Sequence, residues 1–182
     1  MNTAAKQKLS TRDLTRIAVF AALMAVCSWI TIPATVPFTL QTLGVFLTLR
    51  FLGSKRGTVA IAVYLVLGAL GVPVFAGFTG GIGRLLGPTG GYLVGFLVSG
   101  LVMMLLDRWK AEKYVWTLLK MAIAMAACYL VGTIWFAFQY TSMSIGAVLM
   151  ACVVPFLIPD AIKILVAERV GTLLKKKIPT DA

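Results

Sequence analysis

The sequence predicts an all-α integral membrane protein, a bundle of about six transmembrane helices with a glycine-rich outer loop. Hydrophobic residues make up 60% of the 182 residues, above the roughly 45–50% typical of soluble domains, and the mean hydropathy is +0.95. The 17 lysines and arginines, against 6 acids, bracket the apolar runs. A chain of this length is expected to form a single transmembrane domain over residues 1–182.

Six apolar runs predict the membrane spans. We place them at approximately 16–32, 38–52, 58–72, 91–106, 115–138 and 159–174. The first follows a polar, basic segment, as in a signal peptide. Its apolar core is longer than the usual 7–15 or so residues and no convincing cleavage site follows, so we expect no cleavage. The second and third are shorter than the roughly 20 residues of a perpendicular span, and the snorkelling side chain of Arg50 supplies part of the length.

Small residues recur along the first span. Ala18, Ala22 and Ala25 are spaced by three and four residues, which places them on one helix face. Such a stripe lets another membrane helix approach closely. Alanine is also simply common in membrane helices, so a docking face and a chance pattern are both open at this point.

The segment 71–91 is too rich in glycine and proline to form a regular helix. Its glycines allow backbone groups to approach a ligand closely. Leu86 stands where a dinucleotide fingerprint needs its last glycine, so a phosphate cradle is not indicated. Apolar residues such as Phe75 and Phe78 favour a compact lid or pocket wall over a solvated loop.

An acid and a base stand three residues apart in the last apolar region. Asp160 and Lys163 share a helix face, and each costs at least about 2.5–3.5 kcal/mol at mid-bilayer, so residues of this kind usually face a cavity or each other. We interpret the pair as the functional centre. The alternative is an internal pair that only neutralises itself.

Two prolines surround this pair. Pro155 and Pro159 predict a helix break near 154–158 and a restart at Pro159, with Asp160 in the first turn. The apolar segment 145–153 is too short to cross a bilayer. It is either a re-entrant helix or the first half of a kinked final span.

The basic residues orient the bundle. With these spans, fifteen of the 17 lie on one side, Arg84 lies on the other and Lys163 is within the membrane. The positive-inside rule therefore predicts that both termini are cytoplasmic and that the glycine-rich segment and Asp160 lie toward the outer face.

Several classes of function are disfavoured. The chain has no histidine, and its three cysteines, Cys27, Cys128 and Cys152, lack metal-site spacing. It has no Walker A motif and few acids, and no nucleophile–base pair is visible. We therefore expect no enzyme, no cofactor and no metal. The positive charge is explained by membrane orientation, so no nucleic acid partner is expected.

Four ordered motifs carry a resemblance to a known family. They are 36–44 (VPFTLQTLG), 68–77 (GALGVPVFAG), 86–93 (LGPTGGYL) and 155–163 (PFLIPDAIK). Together they resemble the BioY family, the biotin-specific substrate-binding (S) components of energy-coupling factor (ECF) transporters. The resemblance implies a six-helix bundle in the bacterial cell (inner) membrane that captures biotin from outside. It also implies import with a membrane coupling (T) subunit and two cytoplasmic ATPase subunits.

The resemblance also suggests site residues. Asp160 and Lys163 would bind the substrate, and Ala18 and Ala22 match the family's Ala-x-x-x-Ala contact to the coupling subunit. The full set of expected substrate-binding residues is Asp160, Lys163, Gln41, Phe75, Phe78, Thr79, Arg84 and Tyr92.

The chain departs from the family pattern at two positions. Thr79 stands where family members carry asparagine, and Leu93 where some carry arginine. Our hypothesis is that Arg84 recognises the ligand carboxylate instead. A solvated loop arginine is the alternative reading of that residue.

The main rival function is a stand-alone, proton-coupled secondary carrier of biotin or another small vitamin, with Asp160 as the proton-linked group. A membrane enzyme and a purely structural bundle are weaker alternatives.

Overall fold

The computed structural model describes residues 10–34, 36–109 and 113–178. Within these ranges the chain is mostly helical, and the predicted all-α bundle is confirmed. Its elements, in order, are α1 (Thr11–Trp29), β1 (Thr31–Ile32), β2 (Phe38–Thr39), α2 (Gln41–Leu52), α3 (Ser54–Ala69), α4 (Ile82–Leu86), α5 (Gly90–Leu106), α6 (Tyr114–Gln139), α7 (Ile145–Cys152) and α8 (Val154–Lys177). The two short strands pair antiparallel, with Thr31 opposite Thr39.

Helix α1 begins at Thr11, ahead of the predicted boundary at residue 16, because a capping box precedes it. The Ser10 hydroxyl accepts from the Asp13 N–H at 3.2 Å, and the Asp13 carboxylate accepts from the Ser10 N–H at 3.2 Å. This satisfies two donors that a helix start would leave unpaired. Asp13 also lies 3.1 Å from Arg56 Nε, so the start of α1 is held against α3.

Glycines allow the helices to pack closely. A Cβ on Gly95 of α5 would lie 2.8 Å from Cys128 Sγ on α6, and one on Gly171 of α8 would lie 2.5 Å from Arg50 Cγ on α2. Helices α2 and α3 are joined at Gly53, whose φ of 80° is a conformation that favours glycine. These contacts pack α5 against α6 and α8 against α2.

Many apolar side chains face outward, as expected in lipid. Among the described residues, the helix Tyr114–Gln139 and the near-continuous segment Ile145–Lys177 are long and apolar enough to cross a membrane, with mean hydropathies of 1.9 and 2.2. Val19, Leu130 and Ile162 are exposed. Because all the long elements are helices, their backbone groups are hydrogen-bonded internally, as hydrocarbon requires.

The predicted break near 154–158 is wrong. The chain departs from helical geometry at Val153, and α8 runs without interruption from Val154, with Pro155 in its first turn and Pro159 inside it. Pro155 is tolerated because first-turn N–H groups need no helical partner. Pro159 removes one further hydrogen bond without ending the helix.

This correction moves Asp160 into the second turn of α8, outside the first turn where the helix dipole favours an anion most. Helix α7 joins α8 after the single residue Val153, which is the geometry expected of a kinked final helix.

Candidate functional site

A cavity opens among α2, α5, α6 and α8, and the glycine-rich segment forms part of its wall. The volume of the cavity is about 90 Å³, several times the roughly 10–15 Å³ that a single water molecule needs. Seven of the eight predicted substrate-binding residues line it: Gln41, Phe75, Thr79, Arg84, Tyr92, Asp160 and Lys163.

The ion pair predicted from the sequence lies at this cavity. Lys163 Nζ donates to Asp160 Oδ1 at 2.7 Å, and both residues are buried, with exposures of 7% and 3%. Their spacing on one face of α8 makes the contact possible. The cavity wall therefore presents a hydrogen-bond acceptor directly beside a donor, both ionic.

An aromatic ring lies against the ammonium group of Lys163. Lys163 Nζ lies 4.4 Å from the centroid of the Phe38 ring, a cation–π distance. Phe38 in turn stacks on Phe156 of α8, with centroids 5.8 Å apart. The short ribbon that holds Phe38 thus adds a second contact to the lysine, beside its bond to Asp160.

Sequence reasoning missed Tyr129 of α6. Its hydroxyl donates to Asp160 Oδ2 at 2.6 Å, and its side chain lines the cavity. A tyrosine within an apolar helix has no spacing motif that separates a site residue from a packing residue. Phe156, Phe96 and Met125 also line the cavity and were missed for the same reason.

The glycine-rich segment is held as a fixed wall. Side chains of the helices donate hydrogen bonds to its backbone carbonyl groups. Near its start, Trp29 donates to Pro73 at 2.8 Å, and Val74 accepts from Ser28 at 2.5 Å and from Tyr64 at 2.9 Å. Near its end, Trp135 donates to Gly87 at 3.0 Å and Gln139 donates to Leu86 at 2.9 Å. These bonds attach it to α1, α3 and α6. The interpretation as a pocket wall therefore fits better than a free loop.

Gln41 is oriented by this same network. Its side-chain NH₂ donates to the Tyr64 hydroxyl at 2.7 Å, and that hydroxyl donates to the Val74 carbonyl. Gln41 is buried and lines the cavity at the start of α2. Its amide plane is thus fixed relative to the glycine-rich wall.

Phe78, expected among the substrate-binding residues, lies apart from the other seven. Phe78 is 63% exposed, does not line the cavity and stacks on Trp29 with ring centroids 4.9 Å apart. Its φ of 55° places it in a left-handed turn between Phe75 and Thr79, whose backbones form a bridge. The turn keeps Phe75 inside and directs Phe78 outward.

The other residues singled out from the sequence differ in whether a hydrogen-bond donor is free for a ligand. The Thr79 hydroxyl already donates to the Ala76 carbonyl at 2.8 Å, and Tyr92 shares a 3.2 Å bond with Thr133. Arg84 lies in α4, exposed to solvent at the cavity lining. Leu93 is buried and contributes an apolar surface.

The alanine stripe of α1 divides between two faces. Ala21 and Ala25 are buried in the bundle core, whereas Ala18 and Ala22 are exposed on the outer face. The residues matched to the Ala-x-x-x-Ala motif are therefore accessible to another membrane helix.

A mostly helical bundle with lipid-compatible outer faces and an ionic, cavity-lining pair is typical of a membrane transport protein. Comparison with known proteins agrees, since the model of the BioY family matches residues 1–180. The chain belongs to the BioY family.

Similar proteins match most of the chain. The biotin transporter BioY of Thermotoga maritima is 42% identical over 166 residues, covering 91% of this chain and 96% of the relative. The probable biotin transporter BioY of Pyrococcus horikoshii is 37% identical, covering 88% and 97%. A 2.1 Å crystal structure of the S-component for biotin from an ECF-type ABC transporter is similar with a TM-score of 0.83 and 28% identity, covering 97% of this chain and 95% of that one.

Proposed function

We propose that this protein captures biotin at the outer face of the cell membrane and delivers it as the S component of an ECF-type transporter. The relatives named as biotin transporters and the similar S-component for biotin support the substrate and the class. The observation that carries the proposal most directly is the cavity-lining Asp160–Lys163 pair.

The pair is complementary to a cyclic urea. Each edge of the ureido ring places an N–H donor beside a C=O acceptor, and Asp160 and Lys163 place an acceptor beside a donor. One ring N–H would donate to the Asp160 carboxylate while Lys163 donates to the ring carbonyl. Both bonds involve an ionised protein group, which makes them stronger than neutral bonds.

The rest of the cavity suits the rest of biotin. Phe75, Tyr92 and Phe96 offer apolar surface for the thiophane ring and the aliphatic chain. Among the lining residues the ionic groups are Arg84, Lys163 and Asp160, a net charge of +1, which matches a ligand with one carboxylate. Arg84 is the group we assign to that carboxylate, because Lys163 is assigned to the ring carbonyl and the Thr79 hydroxyl donates to Ala76.

Energy must come from other subunits. The chain contains no Walker A motif, so ATP hydrolysis would be supplied by two cytoplasmic ATPase subunits through a membrane coupling subunit. The exposed Ala18 and Ala22 give α1 a small-residue face on which a coupling-subunit helix could pack.

We place both termini in the cytoplasm from the distribution of basic residues.

Vesicles test this proposal against the carrier alternative. The chain is reconstituted alone and together with a coupling subunit and ATPase subunits, and uptake of labelled biotin is followed with and without ATP. We expect accumulation only with the complete assembly and ATP, insensitive to an uncoupler. Accumulation by the lone chain that an uncoupler abolishes and ATP does not affect would establish a proton-coupled carrier instead.

A further inference from the structure

We infer that Tyr129 is a positioning and specificity-determining residue, which acts on the ligand by fixing the direction in which the Asp160 carboxylate accepts hydrogen bonds. This inference rests on the proposed function, because it concerns the ligand of the same cavity. It assigns a role to a residue of α6 that no sequence motif indicated.

Each oxygen of the Asp160 carboxylate accepts a hydrogen bond. The Tyr129 hydroxyl donates to Asp160 Oδ2 at 2.6 Å while Lys163 donates to Oδ1 at 2.7 Å. The two carboxylate oxygens are thus held by donors from two different helices, α6 and α8. Bonds of this length to an ionised carboxylate are among the stronger hydrogen bonds in proteins.

The second step concerns orientation. The terminal torsion of an aspartate is broad, so a single donor does not fix the plane of its carboxylate. Lys163 lies on the same helix as Asp160 and moves with it. Tyr129 comes from α6, and its bond therefore ties the carboxylate plane to a second helix of the cavity wall.

The third step concerns the ligand. An ionised carboxylate has about four acceptor positions, and Tyr129 and Lys163 occupy one on each oxygen. The positions that remain are fixed in direction and accept only donors. A ligand with an N–H at the correct place therefore gains a hydrogen bond. A ligand that lacks this N–H leaves a buried acceptor position of the carboxylate unpaired, which makes its binding free energy less favourable. Tyr129 would thus contribute to discrimination in favour of the ureido N–H.

The test varies both the protein and the ligand. Tyr129→Phe removes the hydroxyl and keeps the ring, so packing is preserved. Three ligands are compared by calorimetry: biotin, desthiobiotin, which lacks the sulfur but keeps the ureido ring, and biotin analogues methylated on a ureido nitrogen. Tyr140→Phe is the matched control, because Tyr140 is at the end of α6, outside the cavity, and stacks on Phe136.

We expect Tyr129→Phe to weaken biotin and desthiobiotin by the same factor, about tenfold, which corresponds to one hydrogen bond to a charged group. The affinity for the analogue methylated at the nitrogen that faces Asp160 should change by less than about twofold. The ratio of the affinity for biotin to the affinity for this analogue should therefore be smaller in the variant than in the parent. Tyr140→Phe should leave all affinities unchanged. Thermal unfolding without ligand checks that both variants are folded.

Two results would overturn the inference. If the affinity for all the ligands falls by the same factor, Tyr129 only shapes the cavity. If no affinity changes, Tyr129 does not act on the ligand. Should the unaltered protein bind neither biotin nor desthiobiotin, the proposed function itself fails. That outcome is distinct from unchanged selectivity in a protein that binds both.

Discussion

The ring of Phe75 occupies the space that a side chain on Gly68 would need: a Cβ added to Gly68 would lie 2.0 Å from Phe75 Cζ. Gly68 belongs to α3 and Phe75 to the glycine-rich wall, where it is buried and lines the cavity. Phe75 also meets Tyr64 edge to face, with centroids 5.6 Å apart. The inner surface of the wall therefore depends on the absence of a side chain at residue 68.

Gly68→Ala is expected to displace Phe75 and weaken biotin binding about tenfold, with a lower melting temperature, because overpacking of this kind costs about 1–3 kcal/mol. Gly146→Ala is the matched control. Gly146 also lies in a helix, but nothing lies within 4 Å of the added Cβ, so binding should not change. Equal binding by the parent and Gly68→Ala would show that Phe75 does not form part of the ligand surface.

Arg84→Ala should lower the affinity for biotin but not the affinity for its uncharged methyl ester. Because Arg84 is exposed, the ion pair with the carboxylate is expected to be modest, about twofold to fivefold in affinity, and to shrink at high salt. Arg108→Ala, at an exposed position outside the cavity, is the control. Unchanged biotin affinity in Arg84→Ala would mean that Arg84 is a solvated loop residue.

Ala22→Leu should separate binding from transport. The side chain is exposed on α1 and does not line the cavity, so biotin affinity is expected to stay the same. ATP-dependent uptake in the complete assembly should fall at least about tenfold, since a larger residue prevents close helix approach. Ala126→Leu, also exposed but on α6, should be nearly neutral. Normal uptake by Ala22→Leu would exclude this face as the docking surface.

Asp13 predicts a pH dependence of stability. The Ser10 backbone N–H, which donates to its carboxylate, lowers the pKa of Asp13 below its usual 3.8, and Arg56 acts in the same direction. A folded-state pKa below the unfolded value means that the stabilisation is present above about pH 4 and is lost as the pH falls through the folded pKa.

The measurement for Asp13 is thermal unfolding in detergent from pH 7 to pH 3, with the parent and Asp13→Asn in parallel. The parent should melt higher at pH 7, and the gap should narrow toward about pH 3. A gap that stays constant across this range would show that the ionised carboxylate is not its source.

Sequence reasoning succeeded where a physical cost left few alternatives. An acid and a base inside apolar sequence are expensive in a membrane, and their spacing fixes them on one face of a helix, so Asp160 and Lys163 could be placed together. Lipid also permits few backbone arrangements, which made the helical class predictable.

Details that depend on tertiary packing could not be predicted. Pro159 stays inside α8, although proline usually ends a helix. Phe78 points outward because its turn is left-handed, and the sequence does not fix which of two nearby phenylalanines faces in. Tyr129 meets Asp160 across 31 residues of sequence, a relationship that only the packing of α6 on α8 creates.

Calorimetry with biotin and the purified, detergent-solubilised protein tests the central claim most directly. The double variant Asp160→Asn, Lys163→Met removes the ionic pair, and Asp107→Asn, Lys176→Met makes the same chemical changes outside the cavity. We expect tight one-to-one binding by the parent and the control, and a loss of at least about a hundredfold in the double variant. A parent that does not bind biotin, or a double variant that binds it equally well, would show that this pair does not hold biotin.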